Sequence, residues 1–129
     1  MLEPLHERIE DGMPVLATCA GLILLAQRLA AHDDKGTPRL ATMDVTVERN
    51  AYGRQLGSFH GVADVASVGR DVPMTFIRAP RVVEAGEDVQ VLARVDGSVV
   101  AVRQGAQLGV AFHPELDHDL RPHQLFLSL

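Results

Sequence analysis

The run Pro14-Val-Leu-Ala-Thr-Cys-Ala-Gly-Leu-Ile-Leu-Leu-Ala26 decides how this chain is built. Pro14 to Thr18 is short and apolar, as a buried strand is. From Ala20 the residues are good helix formers, and the spacing predicts a helix that carries on to Ala31. Leu22, Ile23, Leu25, Ala26 and Leu29 would give that helix a wide apolar stripe for packing on a sheet. Cys19, the single cysteine, stands at the junction. A thiol in a tight strand-to-helix turn, with the N–H groups of a helix start nearby, is in a setting that favours the nucleophilic thiolate. Serine hydrolases expose their nucleophile with the same device. A competing account is that a lone cysteine serves as a small buried hydrophobe.

Working outward, residues 2 to 11 read as a helix with Leu2, Leu5 and Ile9 on one side, stopped by Gly12. His32 to Pro38 is a polar turn cluster, with Asp33, Asp34 and Lys35 solvated. Met43 to Val47 alternates like a strand. Gln55 to Val65 is compatible with extended chain, and Met74 to Arg78 is a short strand ended by Pro80. Val89 to Val95, Ser98 to Arg103 and Gln107 to Phe112 are β-rich, with hairpin turns expected at Asp96-Gly97 and Gln104-Gly105. A final helix is expected from about Asp119. Helix–strand–helix at the front implies a sheet with helices on its faces. Such a sheet needs strands for the first helix to pack on, so the front of a larger domain is expected to be absent.

A length of 129 residues fits one domain, and 47% hydrophobic content is ample for a core. With 4% aromatic residues and no Trp, that core should be aliphatic. A net charge of −5 without a basic stripe argues against nucleic-acid binding. One cysteine excludes an internal disulfide framework and fits a reducing cytoplasm. The apolar run Leu22 to Leu25 is soon followed by Gln27 and Arg28, too short for a membrane span. Met1 to Arg8 lacks the apolar segment of a signal peptide.

The second informative motif is Gly109-Val-Ala-Phe-His-Pro-Glu-Leu116. In extended chain, residues two apart point the same way, so Glu115 is placed to orient the imidazole of His113. A cysteine nucleophile needs a base, and that base works best when a third group fixes its tautomer. Cys19, His113 and Glu115 supply the three types; the plainer alternative for His113-Pro-Glu is a polar strand end. His113, Glu115, Asp117, His118 and His123 also crowd together as metal ligands would. Their spacing matches no compact zinc signature, and Pro114 and Pro122 break any single helical face, so no metal is expected. His6, His32 and His60 read as surface or loop residues. Arg49 and Arg54 flank a Gly-bearing loop, and Arg78 closes Phe76-Ile-Arg-Ala-Pro80. Each arginine presents a planar fork suited to a carboxylate, although exposed arginines in turns are commonplace.

Four stretches, in this order, resemble the glutaminase subunit of pyridoxal 5′-phosphate synthase, within the class I triad glutamine amidotransferases. They are Thr18-Cys-Ala-Gly-Leu-Ile-Leu-Leu-Ala26, Glu48-Arg-Asn-Ala-Tyr-Gly-Arg-Gln55, Phe76-Ile-Arg-Ala-Pro80 and Ala111-Phe-His-Pro-Glu-Leu116. The second and third are the more specific, and Tyr52 stands where the family commonly has Phe. The resemblance implies an α/β, flavodoxin-like fold with a mixed sheet. It also implies hydrolysis of L-glutamine by Cys19, with His113 as base and then acid and Glu115 as orienter. Arg49, Ile77 and Arg78 match substrate-binding positions. Ammonia would pass to a (β/α)₈-barrel synthase subunit, which makes pyridoxal 5′-phosphate from a pentose phosphate and a triose phosphate. No cofactor, nucleic acid or membrane is implied. Family members carry a Gly-Gly-Glu-Ser motif in a first strand–helix–strand region, and Met1 to Arg8 matches the helix after it. Residues 1–129 are therefore expected to be a partial amidotransferase domain. The alternative is a catalytically inactive fragment that at most binds the synthase subunit.

Overall fold

Val99 to Val102 lie buried on both faces of a sheet, and the fold is arranged around them. They belong to strand β8 (Ser98–Gln104), which pairs antiparallel with β9 (Gln107–Val110), β6 (Arg81–Ala85) and β7 (Gln90–Val95). The computed structural model describes residues 2–30, 39–48, 58–77, 80–95, 97–114, 117 and 119–129, without the side chains of 2, 58–60 and 77. Its main sheet has seven strands in the order β1-β9-β8-β6-β3-β2, with β7 beside β8. The remaining strands of this sheet are β1 (Val15–Thr18), β2 (Ala26–Leu29) and β3 (Met43–Glu48). β1 runs parallel to β9 and β2 parallel to β3, while the other pairs are antiparallel, so the sheet is mixed as expected.

Local chemistry explains most of the pairings. In β3, Met43, Val45 and Val47 point inward and alternate with half-exposed polar residues, the period-2 pattern read from the sequence. The β7–β8 and β8–β9 hairpins turn at Gly97 (φ 81°) and Gly105 (φ 59°), a backbone region that glycine enters without steric cost. Thr42 and Gln107 are both buried and satisfy one another. The Thr42 hydroxyl donates to Gln107 Oε1 at 2.6 Å, and Gln107 Nε2 donates to the Thr42 carbonyl at 2.9 Å. This pair ties the start of β3 to the start of β9.

The structure departs from the sequence expectations in several places. The helix expected from Ala20 to Ala31 is only α2 (Ala20–Leu25), and the chain then becomes β2. Ala26 has φ −64°, ψ 134°, an extended conformation, although its N–H still bonds back to Leu22 and Ile23. Pairing of Ala26, Arg28 and Leu29 with Met43, Thr46 and Val47 outweighs the helix propensity of the run. Arg28 reinforces the pairing across the strands, donating from Nη2 to Asp44 (2.7 Å) and from Nε to Thr46 (2.9 Å). In α1 (Leu2–Glu10), Ile9 is buried but Leu5 is 40% exposed, so the apolar side is narrower than its spacing implies. His6 does lie at the surface, its side chain 44% exposed, and its Nδ1 is 2.8 Å from the Leu40 carbonyl. A carbonyl only accepts, so Nδ1 carries the proton.

A two-stranded hairpin, β4 (Ser58–Val65) and β5 (Gly69–Ile77), stands off the main sheet. β5 is much longer than the strand expected at Met74 to Arg78, because pairing with β4 carries Gly69 to Pro73 into the ladder despite their turn-type chemistry. Strand β6 starts directly after Pro80, where the sequence marked only a stop. Helix α3 (Arg121–Leu127) begins close to the expected place, with Pro122 in its first turn. Arg121 fastens it to the hairpin, donating from Nη1 to the Arg70 carbonyl at 2.9 Å. The same guanidinium binds the Asp119 carboxyl and holds it below the usual carboxylate range.

Gly109 in β9 is a close-approach position. A Cβ there would lie 2.7 Å from Leu22 Cδ1 and 3.5 Å from Met43 Sδ and Val102 Cγ2. Leu22, Met43 and Val102 are fully buried and have no room to retreat. Gly109→Ala is therefore expected to lower stability by about 1–3 kcal/mol, the usual cost of overpacking. Urea unfolding measures it, and an unchanged midpoint would show that α2 shifts freely.

Candidate active site

Because β1 and β9 run parallel with Thr18 opposite Val110, the segments that follow them leave the same end of the sheet. Cys19 follows β1, and Ala111-Phe112-His113 follows β9. The Cys19 N–H donates to the Val110 carbonyl at 2.9 Å, so the turn that carries the thiol is tied to the strand that leads to the imidazole. Cys19 has φ 50° and ψ −109°, a region that residues with a Cβ adopt only under strain. The turn is tight because α2 doubles back on β1. A Cβ on Gly21 would stand 3.3 Å from Ala17 Cβ, a contact few side chains tolerate. Both Cys19 and His113 are partly exposed.

His113 is held from beneath. Phe112 is fully buried against Phe76 in an edge-to-face pair, with ring centroids 5.9 Å apart and an interplanar angle of 68°. The N–H of His113 donates to the Thr75 carbonyl at 2.8 Å. The hydroxyl of Thr75, itself buried, donates to the Asp117 carboxylate at 3.1 and 3.2 Å. Strand β5 thus supports the histidine segment and runs straight on into Ile77. Thr75 is the residue that sequence reasoning missed, and its only signal was a hydroxyl between the apolar Met74 and Phe76.

The strand ends bring the expected nucleophile and base to one end of the sheet. Ile77 ends β5, one residue beyond the Phe76 ring that braces Phe112. Glu115, Arg49 and Arg78 lie outside the described residues, as do Tyr52 and Arg54. Glu48, the described residue just before Arg49, and Arg81 are cross-strand partners joined by an ion pair of 3.3 Å. Of the residues weighed as metal ligands, Glu115 and His118 are also outside. Among the described residues no group of three or more potential ligands converges. No helix among them is long and apolar enough to cross a membrane.

The sequence profile of the SNO glutamine amidotransferase family matches residues 1–129. The chain is 56% identical over 128 residues to the pyridoxal 5′-phosphate synthase subunit PdxT of Desulfitobacterium hafniense (strain DSM 10664 / DCB-2), covering 99% of this chain and 62% of that protein. It is 52% identical over 129 residues to the PdxT subunit of Methanocorpusculum labreanum, covering 100% of this chain and 66% of that protein. The chain therefore spans about two thirds of the length of these curated relatives. A solved glutamine amidotransferase superposes with a TM-score of 0.90 at 41% identity, over 98% of this chain and 66% of that one. A glutamine amidotransferase from Thermotoga maritima has a TM-score of 0.60 at 14% identity, covering 87% of this chain and 45% of its own, a likeness of fold alone. The mixed sheet flanked by helices is the α/β class I amidotransferase fold that the four motifs implied. With its whole length matched, the chain belongs to the SNO glutamine amidotransferase family.

Proposed function

We propose that this chain carries the nucleophile and base of a glutaminase that serves pyridoxal 5′-phosphate synthesis. Cys19 gives its thiol proton to His113 and attacks the side-chain amide carbon of L-glutamine. The imidazolium returns the proton to the amide nitrogen, the C–N bond breaks, and ammonia leaves a glutamyl thioester. Water, deprotonated by the neutral imidazole, then cleaves the thioester to glutamate and the free thiol. Glu115 orients His113, and Arg49, Ile77 and Arg78 hold the substrate, with the arginine forks suited to its carboxylate. The ammonia passes to a (β/α)₈-barrel synthase subunit, and the reaction is placed in the cytoplasm.

The observation that carries this proposal is the parallel register of β1 and β9, which sends Cys19 and His113 off the same end of the sheet. The relatives that bear the name of a pyridoxal 5′-phosphate synthase subunit supply the biosynthetic setting. The test mixes the protein with its cognate synthase subunit and the two sugar phosphates, and follows pyridoxal 5′-phosphate by absorbance. L-Glutamine is expected to replace ammonium salt as the nitrogen source, with glutamate formed in step. Product that forms with ammonium salt but never with L-glutamine would overturn the proposal and leave a chain that at most binds the synthase.

A further inference from the structure

Thr75 holds both ends of one short segment. Its main-chain carbonyl accepts the N–H of His113, and its hydroxyl donates to the carboxylate of Asp117. The segment closes on itself through the Asp117 N–H, which donates to the Pro114 carbonyl at 3.2 Å. Thr75 is only 6% exposed and sits between Met74 and Phe76, both fully buried, so it has little freedom to follow the segment if that moves. One rigid residue of β5 therefore fixes where the chain from His113 to Asp117 begins and where it ends.

We infer that Thr75, acting through Asp117, is a positioning residue that sets the imidazole of His113 against the Cys19 thiol. The inference rests on the glutaminase proposal for its readout in turnover. The carbonyl bond survives any side-chain change, so substitution isolates the hydroxyl. Without it, the half-buried Asp117 carboxylate loses a hydrogen bond and is drawn toward water. That swings the far end of the segment and tilts the imidazole at its near end. Two groups that must exchange a proton within hydrogen-bond reach are sensitive to small displacements, and a misplacement of about 1 Å costs on the order of 10²-fold. Binding of L-glutamine does not depend on that proton, so the loss falls on kcat.

The test compares wild type, Thr75→Val, Thr75→Ser and Asp117→Ala, each assayed with the synthase subunit. Thr75→Val and Asp117→Ala are expected to lower kcat by about 10- to 100-fold, with KM within about twofold of wild type. Thr75→Ser, which keeps the hydroxyl, is expected to recover most of the rate, and the Thr75→Val/Asp117→Ala double variant to be no worse than either single one. The pH profile of Cys19 alkylation by iodoacetamide gives a readout without turnover. It is expected to shift to higher pH in Thr75→Val and to return in Thr75→Ser, because a displaced imidazole stabilises the thiolate less. Wild-type kcat in Thr75→Val, or a loss that Thr75→Ser does not restore, would overturn the inference and leave the glutaminase proposal standing. If wild type turns over no L-glutamine, that proposal fails instead. The alkylation profiles then decide alone, and identical profiles in wild type and Thr75→Val would overturn the role of Thr75.

Discussion

Cys19→Ala is expected to abolish glutamine hydrolysis, with a loss of at least about 10⁴-fold, because removal of a covalent nucleophile leaves only binding and solvent attack. The sensitive measurement is glutamate released in the presence of the synthase subunit, and turnover retained in the variant would remove Cys19 from the chemistry. A companion variant separates the thiol from the backbone that presents it. At φ 50° and ψ −109° a residue with a Cβ is strained, at about 1–3 kcal/mol for such positions. Glycine adopts this conformation without the clash. Cys19→Gly is therefore expected to be as inactive as Cys19→Ala yet more stable than it by about 1 kcal/mol, read from urea unfolding. Equal stability of the two variants would mean that the elbow stores no strain. The expected result is a nucleophile kept in place at a cost in stability, because a thiol in a relaxed turn would not project from the strand end.

Phe112→Ala is expected to destabilise the fold by about 3–5 kcal/mol, the range for removing a buried aromatic side chain. Phe112 and Phe76 are both essentially inaccessible, and the edge-to-face pair adds to the burial loss. The surroundings have little means of collapsing into the gap, since β8 and β9 are pinned by their ladder and β5 by its own hairpin. For a domain with a typical total stability of about 5–15 kcal/mol, this is a large share. Phe112→Leu, which keeps much of the volume, is expected to lose clearly less. Denaturant unfolding distinguishes the two, and a loss under about 1 kcal/mol in Phe112→Ala would mean that Phe112 does not carry the packing beneath His113.

Local patterns carried much of the fold. Alternation placed β3, the Asp96-Gly97 and Gln104-Gly105 signals placed two hairpin turns, and the final helix was expected close to where α3 begins. Two of the expectations that failed share one cause. Ala26 to Leu29 are good helix formers, and Gly69 to Pro73 contain residues that read as a turn. Both segments become strand because a partner elsewhere in the chain offers its backbone groups for pairing, and neither β3 nor β4 is visible from inside the segment it captures. The same limit hid Thr75: a threonine between apolar residues is ordinary in a strand, and only the arrival of His113 and Asp117 from far along the chain gives its two oxygens a purpose.

By itself, then, the sequence determined the chemical types and the lineage. A single thiol at a strand-to-helix junction, a His-Pro-Glu after an apolar run, and two arginine-bearing motifs in a fixed order were all legible, because side-chain chemistry and short-range spacing are local properties. The tertiary structure alone decided that β1 and β9 run parallel and in register, which puts Cys19 and His113 at one sheet end. It also decided that a hairpin outside the main sheet buttresses the histidine through Thr75 and Phe76. Those are long-range pairings, set by which backbone groups and buried faces find one another when the whole chain closes, and no window of sequence contains both partners.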